Sequence, residues 1–425
     1  MEAALENKWK EVVKMYESNP GAHTATFTEA NNTALHLAVD LNREEVVKML
    51  VDAVIEYEKK EDGEFPASEE ALRVRNINGD TPLHIAASRG FTNICICIIG
   101  ENIERKNLLR LENYNGETPL FLAAFNWKKS TFAYLSEITE LYQVGGDQQD
   151  QQPLLRDFTG RNGDTILHCA INRDYFDLAL IIVHKFDFLK TAINGDGQTP
   201  LHVLATRPSA FKSTNKPTGW RFLLYEYGDH DVEKAPSSKS SSEKRGTTNG
   251  LFLFFDCIYK NSVGRLTKWM KMTFKEILDT KKKHRWSGQL LDELMKDPAE
   301  ALTGRKSAGV RPESHKPPYT DWEEEFKAVE EAYERFKGEI DPSNPASKDK
   351  DAKTDDTKGE TAYLAAARHG IVEMVIRIQR DIPSVIHSTN SKKQNALLVA
   401  VKHRQSQVVK ALKKESKYEK YSTNA

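Results

Sequence analysis

Cysteine is scarce: Cys95, Cys97, Cys169 and Cys257 are spread through 425 residues. They lack the close paired spacings that a disulfide framework or a structural zinc site requires. Such usage suits a reducing compartment, and a cytoplasmic location is expected. Long apolar runs are also missing. The greasiest stretch, Leu251 to Tyr259, is broken by Asp256 and falls far short of the roughly 20 apolar residues that span a bilayer. The first fifteen residues mix Glu2, Glu6, Lys8, Lys10, Glu11 and Lys14, so no secretory signal is expected. Charge of one sign is absent overall, with 61 Lys and Arg against 62 Asp and Glu, which removes the electrostatic case for nucleic acid. No G-x-x-x-x-G-K-S, H-E-x-x-H or G-x-S-x-G string occurs, so neither an enzyme nor a cofactor is expected. With 39% hydrophobic and 29% charged residues, the composition implies packed cores diluted by solvated segments.

What the chain does have is a repeat. GDTPLHIAA from Gly79, GETPLFLAA from Gly116, GDTILHCAI from Gly163 and GQTPLHVLA from Gly197 are copies of one motif, 37, 47 and 34 residues apart. NNTALHLAV from Asn31, GETAYLAAA from Gly359 and QNALLVAVK from Gln394 are weaker copies. Each part suits a helix start. Glycine with flanking Asn or Asp allows a tight turn. Thr81, Thr118, Thr165 and Thr199 stand where an N-cap hydroxyl satisfies backbone N–H groups, and Pro82, Pro119 and Pro200 take the first helical position. Leu83, Ala86 and Ala87 keep the helix narrow enough for close packing. A second amphipathic stretch follows, as in Glu44 to Tyr57, Thr92 to Ile99 and Thr131 to Leu141. One turn–helix–helix unit cannot enclose its own apolar face, so stacking on the next copy is expected.

The T-P-L-H-x-A pattern resembles the ankyrin repeat, over Met1 to about Pro208 and Lys358 to about Leu412. The resemblance implies an all-α ankyrin-repeat solenoid interrupted by a long, partly disordered insertion. We divide the chain into N-terminal repeats at 1–208 (about five, the first atypical), a flexible Ser/Lys-rich linker at 209–250, and an insertion at 251–338 bearing a basic and an acidic amphipathic helix. A second linker at 339–357 precedes degraded repeats and a basic tail at 358–425. The closing stretch from Gly359 to Val409, with KKHRWSGQLLDELM from Lys282, is similar to plant ankyrin proteins of the PGG-domain group. That resemblance implies stress or immune signalling and, in relatives, a C-terminal membrane anchor. Here the sequence after Val409 reads KALKKESKYEKYSTNA, so membrane association is expected only of a longer form.

Within the insertion, Val263, Leu266, Trp269, Met270, Phe274, Ile277 and Leu278 recur at helical spacing. Lys260 to Arg285 carries nine Lys or Arg and two acids. A basic amphipathic helix of this kind suits calmodulin or anionic lipid, with Trp269, Phe274 and Leu278 as anchors and Lys268 and Lys271 beside them. The plainer reading packs the same aromatics on a neighbouring repeat. Asp321 to Gly338 reads as an acidic amphipathic helix able to dock on the basic one.

His36, His84, His168 and His202 recur at one motif position. Copies a repeat apart are too distant to share an ion held at about 2 Å, and the ankyrin resemblance implies hydrogen bonds to backbone in the adjoining turn. Cys95 and Cys97, two apart on a helix, do not face one another. The expected function is therefore a scaffold binding another protein, with calmodulin as a second partner class. Contact candidates are the variable residues near the turns: Arg75, Ile77, Asn113, Tyr114, Phe158, Arg161 and Asn194.

Overall fold

The computed structural model describes residues 4, 6–58, 67–144, 155–160, 162–227, 264–303 and 360–422. The acidic segment 321–338, most of both linkers, and Arg161 lie outside them. Among the described residues every regular element is helical, apart from an isolated bridge between Thr159 and Thr165. They fall into two compact units, one of residues 1–204 with 297–314, the other of 205–296 with 315–425.

In the first unit each motif starts a short helix: Ala34–Asp40, Pro82–Arg89, Pro119–Phe125, Ile166–Asn172 and Pro200–Ala205. We number these inner helices as repeats 1 to 5. Thr33, Thr118 and Thr165 hold extended backbone and accept from the N–H groups of His36, Phe121 and His168, which ends the helices cleanly at their N-termini. Outer helices follow at Glu44–Glu58, Thr92–Ile99, Lys129–Val144 and Phe176–Lys185. Inner helices of repeats 1 to 4 pack in succession, as do the outer helices of repeats 1 to 3. Leu83, Ala86 and Ala87 are wholly enclosed at these contacts; burying one leucine contributes about 2 kcal/mol. Before repeat 1, helix Trp9–Ser18 packs on Glu44–Glu58 through Trp9, Val12, Val13 and Tyr16.

A third row of short helical turns closes each repeat: Ala67–Arg73, Lys106–Arg110, Leu155–Phe158 and Asp187–Thr191. Pro298–Thr303 packs against Asp187–Thr191 and takes the next place in that row. The Thr118 hydroxyl donates to the Asp157 carbonyl, 39 residues on, at 2.9 Å. The Thr199 hydroxyl makes the same bond at 2.9 Å to the Ala301 carbonyl, 102 residues on. Repeat 5 thus recovers its closing turn from across a long intervening segment.

In the second unit, repeat 6 has helices Ala362–His369 and Val372–Asp381, and repeat 7 has Ala396–Lys402 and Ser406–Ser422. A 31-residue helix, Gly264–Leu294, runs well past the expected end at Leu278, because Leu290, Leu291 and Leu294 continue the buried periodicity. It packs on Trp220–Tyr227 and Pro208–Ala210, with the Tyr225 hydroxyl 2.8 Å from His284 Nδ1 and the Ser287 hydroxyl donating to the Ala210 carbonyl. Composition placed residues 209–227 in a linker. Ala210, Phe211 and Tyr225 are nevertheless buried, a detail that a Ser/Lys-rich average hides.

Candidate functional site

The motif histidines hold repeats together. Thr33, Thr81 and Thr165 each donate a backbone N–H to Nδ1 of His36, His84 and His168, at 3.2–3.3 Å. A backbone N–H can only donate, so Nδ1 carries no proton and Nε2 does. Nε2 then donates to the next repeat's turn: His36 to the Asp80 carbonyl at 3.0 Å, His84 to Glu117 at 3.1 Å and His168 to Gln198 at 3.0 Å. Burial lowers the pKa of all three, taking His84 to about 4 against the opposing pull of Asp80. They are neutral structural imidazoles.

Asparagine organises the turns that receive these bonds. The Asn113 side-chain oxygen accepts from the N–H groups of Asn115 and Glu117, both at 3.0 Å, and its amide donates to Asp80 at 2.9 Å. Asn194 repeats the arrangement with Asp196, Gln198 and Asp164. Both side chains are buried. Phe158 is enclosed between Phe186 and Phe188, with ring centroids at 4.6 and 5.4 Å. These three candidates therefore build the fold and present no face to solvent.

Arg75, Ile77 and Tyr114 are the exposed candidates, Ile77 and Tyr114 each at 58%. The backbones of Ile77 and Tyr114 are pinned by bonds from the Ile77 N–H to the Ala30 carbonyl (2.8 Å) and from the Tyr114 N–H to the Asn78 carbonyl (3.1 Å). Gly79 makes this approach feasible. Its φ is +80°, and a Cβ there would lie 2.4 Å from the Tyr114 nitrogen. Two apolar side chains thus stand on rigid neighbouring tips. Beside Tyr114 an open groove of about 340 Å³ is lined by Glu112, Arg156, Thr159 and Gly160, with Arg156 gripping Glu112 through two nitrogens at 2.5 and 2.8 Å.

Between repeats 3 and 4 the pattern changes. Phe121 replaces the histidine and Gly160 the asparagine, and a Cβ on Gly160 would stand 3.1 Å from Phe121 Cζ. At the other end of the inner helices, Trp127 stacks on Tyr175 (5.4 Å, 17°) and donates from Nε1 to Asp177 at 3.2 Å. Lys129 lies 4.7 Å over the Trp127 ring and pairs with Asp177, while the Arg173 guanidinium sits 3.6 Å from the Phe125 centroid. Our reading of the sequence missed this cluster, although aligning the copies places Trp127 where repeat 2 has Gly90.

On the basic helix, Phe274 is half-buried against Ile277 and Tyr225, and Leu278 is half-buried. The side chains of Lys268, Trp269 and Lys271 lie outside the described residues. Burial pushes the thiols of Cys95 and Cys169 up to about 12 and Cys97 to about 11, so none is a ready nucleophile. Among the described residues, no group of three His, Cys, Asp or Glu side chains could hold a metal ion, and no helix is long and apolar enough to cross a membrane.

Family models match at residues 64–141, as ankyrin repeats in three copies, and at 30–57, as an ankyrin repeat. The chain carries ankyrin repeats. Its ankyrin stack is similar to the crystal structure of EF0377, an ankyrin repeat protein, at 20% identity over 47% of this chain and 86% of that one, TM-score 0.33. It is also similar to the ankyrin repeat domain of Bcl-3, a member of the IkappaB protein family, at 20% identity over 48% and 78%, TM-score 0.36. No curated protein matches the chain. Ankyrin repeats indicate a protein–protein interaction domain.

Proposed function

We propose that the chain is a non-catalytic scaffold that binds another protein through the turn tips and inner helices of repeats 1 to 4. The observation that carries this reading is the pair Ile77 and Tyr114, large apolar side chains raised on backbone that hydrogen bonds hold fixed. Pre-ordered anchors of this kind keep most of their contact energy, because little entropy is lost when they bind. The groove beside Tyr114, with Arg156 on its rim, gives the partner a polar foothold. Similarity of the closing repeats to plant PGG-group ankyrin proteins supports a place in stress or immune signalling, and the cysteine usage supports a cytoplasmic one.

Quantitative affinity purification with wild type and the double variant Ile77→Asp, Tyr114→Ala tests the surface. Specific partners are expected to fall at least tenfold with the fold intact; retention of every partner at wild-type level would end this reading. A calmodulin- or lipid-responsive role for residues 261–285 has less support, since Phe274 is already packed on Tyr225 and Ile277. Calcium-dependent binding of calmodulin by the full chain would favour it.

A further inference from the structure

We infer that the loops joining inner to outer helix in repeats 3 and 4, at the far ends of the inner helices from the turn tips, form a second docking surface. It takes an extended acidic segment of a partner protein that carries an aromatic side chain between two carboxylates. The surface centres on Trp127, which is 48% exposed. Repeats 2 and 4 both pack on the inner helix of repeat 3, so this exposure belongs to the middle of the stack.

The backbone disfavours a tryptophan there. Nine residues beyond each capping threonine the chain passes from inner to outer helix through a left-handed residue: Asn42 at φ +53°, Gly90 at +86°, Trp127 at +57° and Asp174 at +62°. Asn, Gly and Asp adopt that conformation readily, and a tryptophan does not. The strain is of the same order as the gain from stacking on Tyr175, so the ring adds little net stability. A local rule broken without a matching gain in stability points to function. Tryptophan is also among the side chains that most often anchor an interface.

Charge selects the occupant. Asp177 is fully engaged: it accepts from Trp127 Nε1 at 3.2 Å and from the Leu178 N–H at 2.8 Å, and it pairs with Lys129. Asp40 is held by two nitrogens of Arg89, at 2.7 and 3.0 Å. Two cations are left over. Lys128 lies along Gly90 of repeat 2, where a Cβ would stand 2.8 Å from its Cδ. Arg173 of repeat 4 is exposed and covers the Phe125 ring. Neither makes an ion pair among the described residues, and the remaining acid of these two loops, Asp174, is half-buried. The order across the stack is cation, exposed ring, cation, which a partner answers with carboxylate, ring, carboxylate. An extended strand presents alternate side chains on one face about 7 Å apart, near the step of roughly 8–10 Å between packed helices. The motif that fits is Asp/Glu-x-Phe/Tyr-x-Asp/Glu.

The test uses the full chain and three labelled 11-residue peptides with the cores Glu-Ser-Phe-Ser-Glu, Lys-Ser-Phe-Ser-Lys and Glu-Ser-Ser-Ser-Glu in Gly/Ser flanks. Fluorescence anisotropy is expected to show the first binding at least tenfold tighter than the other two, weakening with salt. Trp127→Gly, which relieves the backbone strain, should weaken that binding at least tenfold while thermal unfolding shows the fold retained. Lys128→Glu with Arg173→Glu should reverse the preference between the Glu and Lys peptides. Ile77→Asp with Tyr114→Ala should leave binding unchanged, which separates this surface from the turn tips. No binding of the first peptide, equal binding of all three, indifference to Trp127→Gly and to the charge reversal, or loss of binding in the tip variant would each overturn the inference. At least tenfold tighter binding after deletion of residues 321–338 would assign the surface to the chain's own acidic segment. Sedimentation showing a dimer that Trp127→Gly dissolves would assign it to a second copy, and either result would overturn the inference too.

Discussion

Two junctions in the same stack join their repeats by different means. Between repeats 2 and 3 the contact is a polar ladder: His84 reaches the Glu117 carbonyl, Asn113 reaches Asp80, and the tips share a backbone bond. Between repeats 3 and 4 a ring fills the histidine site, a glycine stands opposite, and an aromatic and ionic clamp of Trp127, Tyr175, Lys129 and Asp177 joins the far ends of the inner helices. The ladder is directional and fully satisfied, so losing one member strands its partner. The clamp relies on area and quadrupoles and degrades more gradually. A repeat fold therefore specifies where neighbours must touch, and more than one chemistry serves there.

The sharpest way to break the second junction is through its core. Phe158→Ala removes a fully buried ring lodged against Phe186 and Phe188 and is expected to cost about 3–5 kcal/mol. Urea unfolding should report the total, and amide exchange should place the loss in residues 155–191. A change spread evenly over repeats 1 to 4 would mean that the junctions are not separable.

Next in size is the ladder. His84→Ala leaves the Glu117 carbonyl and the Thr81 cap short of partners, a loss of about 1–3 kcal/mol. His84→Phe imports the ring of repeat 3 without its matching glycine and should do worse. Adding Asn113→Gly should then restore part of the loss, with a coupling of about 0.5 kcal/mol or more. Strict additivity in that cycle would show that Phe121 and Gly160 are independent replacements.

Much of this was legible before the coordinates. The capping threonines, the turns and the helix order follow from residues whose jobs are local. The histidines were read as structural, and their acceptors proved to be backbone carbonyls one repeat away. Other features were not local. Variable positions near the turns were treated alike, yet Asn113 and Asn194 face inward because an Asx turn needs the amide, and Phe158 faces inward because its ring closes the repeat. The Thr199 to Ala301 bond spans 102 residues, beyond the reach of any periodicity. Trp127 stands at a glycine position of the motif, where an aromatic residue gives no local sign of its stack on Tyr175.

That position yields a smaller effect with a distinctive sign. Trp127 has φ +57°, beside +86° at Gly90 and +80° at Gly370, a conformation costing a non-glycine residue about 1–2 kcal/mol. Trp127→Ala loses the stack and keeps the strain, so a loss of about 0.5–1.5 kcal/mol is expected. Trp127→Gly loses the stack and sheds the strain, and should be the milder of the two. Thermal unfolding of both variants decides it; a glycine variant less stable than the alanine one would show that no strain is stored there.

Acid should separate the junctions most gently. An unfolded histidine titrates near 6.5, whereas burial holds His84 at about 4 and lowers His36 and His168 as well. Between those values the unfolded chain takes up protons that the folded chain refuses, so the stability present above pH 6.5 drains away as pH falls. For His84 the loss from pH 7.5 to 6.0 is about 0.8 kcal/mol. Phe121 has no proton to gain. The nearby Asp157 is raised by burial and responds in the opposite sense, its charge becoming easier to relieve only at the lower pH where carboxylates titrate. Amide exchange at the two pH values, corrected for intrinsic rates, should show protection falling at the junctions of repeats 1–2, 2–3 and 4–5 and holding at 3–4. A uniform fall across all four would mean that the histidines do not carry the difference between ladder and clamp.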